Sequence, residues 1–166
     1  MCNAIKSYLV LWLLVLLYGL VGCNDSENAV AEPDTISVTI GGEDILFDET
    51  TAEGLFTTGV ISNFVMNGTN ASGDSICLEI YNGGDIIEDQ SFPITEPAQG
   101  PQTTVAVVSN NSSLNGTNGS ITVESVENDI LVGNFDVTFN GNNRGNGLFN
   151  VPFTRNTATD NTTECQ

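Results

Sequence analysis

The sequence predicts an all-β fold, namely a single antiparallel β-sandwich of about eight or nine strands, with a partly closed barrel as the alternative. Two observations support this fold class. Apolar and polar residues alternate with a period of two across residues 36–154, and the stretches between these runs are rich in Gly, Asn, Ser and Thr. In addition, no helical pattern connects the predicted strands, which argues against a parallel sheet with helical crossovers.

The first two predicted strands form a hairpin. Residues 36–40 and 44–47 both alternate, and Gly41 and Gly42 between them supply the positive φ that a two-residue turn requires. Further strands are predicted near residues 56–66, 75–81, 86–94, 103–109, 120–126, 131–139 and 149–153, with polar loops between them that include residues 110–119.

A capping-box pair and a proline interrupt this strand pattern. Residues 48–55 are ambiguous, because Thr50 and Glu53 fit a capping box and predict one helical turn. Pro152 has no N–H to donate to a ladder. The last strand is therefore predicted to lie at an edge of the sheet or to have an edge-like stretch at this residue.

Aromatic and branched residues mark the predicted core. Along residues 131–139, Leu131, Phe135 and Val137 point to one side while polar residues point to the other. All eight Phe residues of the chain follow position 22, and most of them fall on inward positions. We therefore expect the Phe side chains to fill the core rather than to line a binding surface.

The first 22 residues predict a signal peptide. Lys6 precedes an uncharged apolar run over residues 8–22, which is shorter than the roughly 20 residues that cross a bilayer and ends at small residues. The next residue completes Leu20-Val21-Gly22-Cys23, which resembles the bacterial lipobox, so we predict that the Cys23 thiol is alkylated by diacylglycerol and becomes the mature N-terminus. A plain signal peptide with a free Cys23 and an uncleaved anchor are the alternatives.

The predicted organisation follows from this leader. It comprises the signal peptide at 1–22, the acylated cysteine and a flexible tether at 23–34, a β-sandwich domain at 35–155 and a C-terminal tail at 156–166. Two or three acyl chains hold a protein stably at a membrane. We therefore expect a lipid-anchored protein of the bacterial cell envelope, at the outer membrane and either periplasmic or surface-exposed.

The mature chain is strongly acidic. Only Arg144 and Arg155 oppose its 21 acidic residues, a net charge of 2 − 21 = −19. Such a surface repels phosphate backbones, so nucleic acid is excluded as a partner. Solubility explains the charge, and Ca²⁺ binding by acidic Gly/Asn-rich loops is the sharper alternative. No EF-hand pattern fits the sequence, and no other cofactor is predicted.

Two cysteines remain once Cys2 leaves with the leader and Cys23 carries lipid. In the strand at 76–80, the apolar positions share one face, which places Cys77 on the other face together with Glu79. A tail that returns over this outer face brings Cys165 within reach of Cys77, and such a disulfide contributes about 4 kcal/mol in the chain-entropy model. The alternative is two separate thiols.

These features together resemble the uncharacterised cell-envelope lipoproteins of Bacteroidota. The resemblance lies in the leader with Cys23, in the opening strand 36–42 and in the closing series at 119–123, 131–139 and 147–151, and it covers most of residues 35–154. It implies a small all-β domain behind a lipobox. Because these motifs are strand patterns rather than fixed side chains, no functional residue carries over from the resemblance.

The same resemblance implies two O-glycosylation sites. Asp34-Thr35-Ile36 and Asp74-Ser75-Ile76 look like the Asp-Ser/Thr-apolar acceptors of that phylum. Both lie at strand starts, where we expect an exposed hydroxyl at Thr35 and Ser75. Chance occurrence of so short a pattern is the alternative.

Three functions from different classes fit the sequence. The first is a non-catalytic envelope module that binds a glycan, a protein partner or a cation through loops at one end of the domain. The second is an accessory subunit of an envelope complex. The third, a carboxylate-dependent glycan hydrolase, is the enzymatic option that survives the absence of His from the chain and of Lys after the leader. We predict that the protein is not an enzyme and assign no catalytic residue.

Overall fold

The computed structural model describes residues 31–57, 59–82, 84–86, 88–94 and 102–156. This part of the chain contains eleven β-strands, one 3-10 turn and no α-helix, and the all-β prediction is confirmed. In chain order the elements are β1 (Thr35–Ile40), β2 (Glu43–Phe47), β3 (Glu49–Thr57), β4 (Val60–Thr69), β5 (Ser75–Tyr81), β6 (Gln90–Ile94), β7 (Thr104–Ser109), β8 (Ser112–Glu127), β9 (Ile130–Phe139), the 3-10 turn (Asn140–Asn142), β10 (Arg144–Pro152) and β11 (Thr154–Asn156).

The strands form one open sheet in the order β11-β3-β4-β5-β7-β8-β9-β10-β1-β2, with β6 paired to β8 outside this path. All neighbours are antiparallel except β11 and β3, which run parallel. The two ends of this order, β11 and β2, do not pair with each other in the described part of the chain, so the sheet is not closed. The fold is therefore one sheet bent over a core rather than a barrel.

Strand β8 divides the sheet into two halves. Its residues 112–115 pair with β7, and its residues 116–127 pair with β9, with a register irregularity between Gly116 and Asn118. We call β11, β3, β4, β5 and β7 the first half, and β6, β9, β10, β1 and β2 the second half. Buried residues of both halves join one core cluster, among them Phe64, Met66, Ile76 and Leu78 of the first half and Ile36, Phe135, Phe139 and Phe149 of the second.

Three tight turns set the register of the hairpins. Both central residues of each turn have positive φ: Gly41 and Gly42 at 61° and 89°, Asn110 and Asn111 at 50° and 61°, and Asn128 and Asp129 at 53° and 60°. Turns of this kind match the right-handed twist of the flanking strands, and Gly, Asn and Asp tolerate the conformation best. The hairpin predicted at Gly41 and Gly42 is confirmed.

Several local predictions were wrong. The number of strands is eleven in the described residues rather than eight or nine, the run near 86–94 is a strand only from Gln90 to Ile94, and the predicted loop at 110–119 is mostly the beginning of β8. The predicted helical turn at 50–53 is instead part of β3. In β3 and at the start of β8, inward positions hold small residues such as Ala52, Gly54 and Gly116. The alternation of large apolar and polar residues that marks a strand is therefore absent from these two segments.

Strand β10 lies between β9 and β1, so it is not an edge strand. The edge-like alternative does hold at Pro152. Its partner strand β1 covers β10 only as far as Asn150, and Pro152 extends two residues beyond that point while still facing Ile130 of β9. The missing N–H of this proline therefore interrupts no ladder on the β1 side.

Candidate functional site

A cleft with a volume of about 270 Å³ lies beside edge strand β2. Three segments form its walls: the β2 strand, the β4–β5 turn and the β7–β8 turn. Its lining residues are Glu43, Asp44, Ile45, Leu46, Asn70, Ser72, Asp74, Ser109 and Asn110. The cleft therefore combines carboxylates, amides and hydroxyls with one apolar wall.

Asn70 organises the β4–β5 turn. Its side-chain Oδ1 accepts hydrogen bonds from the backbone N–H groups of Ser72 and Asp74, both at 3.0 Å. Its side-chain Nδ2 donates to the Asp74 Oδ2 at 3.1 Å and to the Leu46 backbone oxygen at 3.3 Å. One amide thus shapes its own turn and ties that turn to β2, which belongs to the other half of the sheet.

Asp74 ties the second turn into the same network. Its Oδ1 accepts a hydrogen bond from the Asn110 backbone N–H at 3.3 Å. The Asp74 carboxylate accepts hydrogen bonds from the Asn70 side chain, the Ser109 side chain and the Asn110 backbone N–H, and these hold its pKa below the ordinary value. Desolvation of the carboxylate acts in the opposite direction and is outweighed. The carboxylate is therefore charged at neutral pH and serves to fix the cleft.

The other two carboxylates of the cleft are exposed. Glu43 and Asp44 stand on β2, where Asp44 accepts a hydrogen bond from the Thr39 hydroxyl. Leu46, also on β2, keeps 47% of its surface exposed and forms the apolar side. No group of three His, Cys, Asp or Glu side chains suited to a metal ion occurs among the residues that the structure describes.

The predicted site residues are scattered. Cys23 and Cys165 lie outside the described residues. Cys77 is on the outer face as predicted, since Ile76 and Leu78 enter the core cluster and Cys77 does not. Cys77 is disulfide-bonded, but because its bonding partner lies outside the described residues, the pairing with Cys165 stays a prediction.

The two predicted glycosylation sites differ in exposure. Thr35 is only 7% exposed, and its hydroxyl donates to the Glu32 backbone oxygen at 2.8 Å, so the expected exposure is wrong for Thr35. Ser75 is half-buried at the start of β5, next to the cleft residue Asp74. Modification of Thr35 would require its hydrogen bond to break, whereas Ser75 carries no such restriction in the contacts described here.

The last part of the predicted tether contacts the domain. Ala31 is buried, and its backbone oxygen accepts a hydrogen bond from the Asn150 side chain at 3.2 Å. Within the described ranges no helix is long and apolar enough to cross a membrane.

The hydrogen-bonded pair of Asn70 and Asp74 was not predicted from the sequence. An available signal was the spacing of Asn70, Ser72 and Asp74 around Gly73, which is typical of a turn organised by an Asn side chain. Comparison of the chain with protein-family models, with curated proteins and with solved structures gives no match.

Proposed function

We propose that the chain is exported, anchored in the bacterial envelope through acylated Cys23, and acts as a non-catalytic binding module. The observation that carries the binding role is the cleft beside β2. Its walls come from three separate segments, and the hydrogen bonds of Asn70 and Asp74 hold them together. Loops positioned by a rigid sheet are where binding residues concentrate, and a fixed cleft lowers the entropy lost when a ligand binds.

The chemistry of the cleft favours a neutral, hydroxyl-rich ligand such as a glycan. Glu43 and Asp44 offer exposed acceptor oxygens, and Leu46 offers an apolar surface for the less polar side of a sugar ring. A volume of about 270 Å³ lies just below the range of drug-sized pockets, so it suits one sugar unit of a longer ligand. The surrounding net charge of −19, from 2 basic and 21 acidic residues, disfavours anionic ligands.

A titration tests this role. Amide spectra of the ¹⁵N-labelled mature domain are followed during addition of neutral malto- or cello-oligosaccharide, with a sulfated oligosaccharide as the anionic comparison. We expect shifts at Ser72 and Asn110 with the neutral probe, and an affinity at least about tenfold weaker in Asp44→Asn. Asp136→Asn, which changes an exposed carboxylate on β9, is the matched control. Shifts of equal size with the sulfated probe would contradict the proposed chemistry.

The anchoring role rests on Leu20-Val21-Gly22-Cys23 at the end of the apolar run. Its test is partition of the protein into detergent after expression in a bacterium with the lipoprotein pathway. We expect wild type in the detergent phase and Cys23→Ser in the aqueous phase, because diacylglycerol attaches only to the thiol. Cys77→Ser is the control for loss of a cysteine elsewhere. Detergent partition of Cys23→Ser equal to that of wild type would refute acylation.

An accessory subunit is the second candidate, and the edge strand β2 favours it. This strand ends the sheet order, so its outer backbone edge faces no other strand in the described residues. The exposed Leu46 and the acidic Glu43 and Asp44 suit an extended, basic partner segment that adds a strand there. Recovery of the same partner by wild type and by Leu46→Glu from native membranes would argue against this edge as the contact.

A further inference from the structure

The outer face of the first half contains side chains that are buried without belonging to the core. Asn63, Val65 and Glu79 are only 5%, 4% and 6% exposed. Their neighbours in sequence, such as Phe64 and Leu78, point into the core cluster, from which Val65 is absent. These three side chains therefore lie on the side of the sheet opposite to the core, and a further part of the chain must shield them from water.

The shielded side chains are polar as well as apolar. The Asn63 Nδ2 donates to the Glu79 Oε1 at 3.4 Å, while the Asn63 Oδ1 is buried with no hydrogen-bond partner in the described contacts. Burial of such groups is costly unless hydrogen-bond donors reach them. A covering segment that is itself polar, with free backbone N–H groups, suits this face better than an apolar one.

The disulfide lies on the same face. Asn67, Cys77 and Ala106 face one another in one row across β4, β5 and β7. Two residues further along, the next outward row holds Glu53, Val65 and Glu79. Cys77, which is disulfide-bonded, is therefore immediately beside the buried patch, and its bonding partner must approach over the outer face.

The end of the described chain is fixed on the first half. Strand β11 pairs with β3, and Asn156 faces Leu55, which belongs to the row of Asn63. The Arg155 guanidinium lies 5.0 Å from the centre of the Phe56 ring and forms a salt bridge with Asp129. Asn156, the last described residue, therefore lies at the edge of the same face.

The remaining length reaches Cys77 by a diagonal path. From Asn156 to Cys77 the path crosses three strand spacings, about 14 Å, and four residues along a strand, about 13 Å, which gives a distance of roughly 20 Å. The nine residues from Asn156 to Cys165 span at most about 30 Å. A straight line between the two ends passes over Val65, and the other two buried side chains, Asn63 and Glu79, both lie on one side of that line within about 7 Å of it.

We propose that residues 157–166 cross the outer face of the first half as a polar strap, fastened by a disulfide between Cys165 and Cys77. The segment consists of Thr, Ala, Asp, Asn, Glu, Cys and Gln, so its hydroxyl, amide and backbone groups supply the donors that this face needs. As the bond forms, each of the two thiols loses one proton and one electron. A disulfide oxidant of the exported compartment accepts the two protons and two electrons and becomes a dithiol. The inference rests on the proposed function only through this compartment.

A single digest tests the bond and the anchor separately. The native protein is alkylated, denatured without reductant and cut with trypsin, which cleaves after Arg144 and Arg155 and so isolates residues 156–166 with Cys165. We expect this peptide to stay attached to the fragment that contains Cys77, to appear only after reduction, and to be free without reduction in Cys77→Ser. A free peptide from wild type would overturn the strap.

The same digest reports acylation through the mass of residues 23–144. An acylated fragment with a free tail peptide would refute the strap and leave the anchor intact. A bridged tail on a chain that retains its leader would do the opposite. The two proposals therefore fail by different signals.

A second comparison tests the shielding itself. Val65→Asp is made in the full chain and in a chain that ends at Asn156, with Val108→Asp, an outward residue that is 40% exposed, as the matched control. We expect Val65→Asp to lower Tm by at least about 8 °C in the full chain and by less than about 3 °C in the shortened one, where water reaches the new carboxylate. Val108→Asp changes both by less than about 3 °C. Equal loss from Val65→Asp at both lengths would show that another segment provides the cover.

Discussion

Replacing Gly147 by alanine tests the closest packing that we describe between β9 and β10. Gly147 faces Phe135 across these strands, and Gly133 faces Phe149 in the same way. Each glycine thus leaves room for the ring of the opposite phenylalanine. A Cβ on Gly147 would lie 2.2 Å from the Phe135 Cζ and 2.3 Å from the Ser37 backbone oxygen.

The size of the effect follows from these two contacts. Carbon atoms pack best at about 3.5–4.0 Å, so each contact is too short by more than 1 Å. A ring can turn aside, and overpacking of this kind costs about 1–3 kcal/mol. The Ser37 oxygen belongs to the backbone of β1 and cannot move without the strand. We therefore expect Gly147→Ala to lower the free energy of unfolding by about 3 kcal/mol or more, a large share of the 5–15 kcal/mol typical of a domain.

Urea unfolding followed by circular dichroism measures this loss. Gly84→Ala is the control, because a Cβ at Gly84 meets nothing within 4 Å and the change should stay within about 0.5 kcal/mol. The double variant Gly147→Ala/Phe135→Leu should lose less than the sum of the single variants, since the leucine frees part of the space. A Gly147→Ala protein within about 1 kcal/mol of wild type would refute the close approach.

Three further predictions concern the cleft and the edge. Asp74→Asn should destabilise the protein at neutral pH. Because the pKa of Asp74 is lowered in the folded state, its charge stabilises the fold above about pH 4, and this contribution is lost as the pH falls through the folded-state pKa. The urea midpoints of the variant and the wild type should therefore converge in acid. Asn70→Ala removes four side-chain hydrogen bonds and should cost about 2 kcal/mol in the same assay and abolish oligosaccharide binding, whereas retained binding would exclude the cleft. Asp129→Asn should cost less than about 1 kcal/mol and lose that small effect in high salt, because Asp129 and its partner Arg155 are both about half exposed.

The fold class could be predicted because a period of two is a local property of the sequence. Strand β9 shows this best, since all five of its inward positions are buried and four of them hold large apolar residues, Leu131, Phe135, Val137 and Phe139. Strand β3 was missed for the opposite reason. Its inward positions hold Ala52 and Gly54, and Gly54 has no side chain because the rings of Phe64 and Phe153 occupy that space. The apolar partner that explains such a strand lies elsewhere in the chain.

The cleft could not be predicted in the same way, because the contacts that form it join residues that are far apart in the sequence. Asn70 reaches Leu46 across 24 residues, and Asp74 reaches Asn110 across 36. Both contacts require the order of the strands and the bend of the sheet at β8. Composition predicted polar loops at these positions, but which loops meet is decided by the register of distant strands.

Strand β8 has a consequence for how the domain comes apart. Its N-terminal end pairs with β7 of the first half, and the rest of the strand lies between β6 and β9 of the second half. The same sixteen residues therefore contribute backbone hydrogen bonds to both halves of the sheet. We expect neither half to fold when expressed alone, because removal of the other half leaves part of β8 without a partner strand. Opening of the edge strands β2 and β11 should stay local, whereas loss of the hydrogen bonds of β8 should unfold both halves in one cooperative transition.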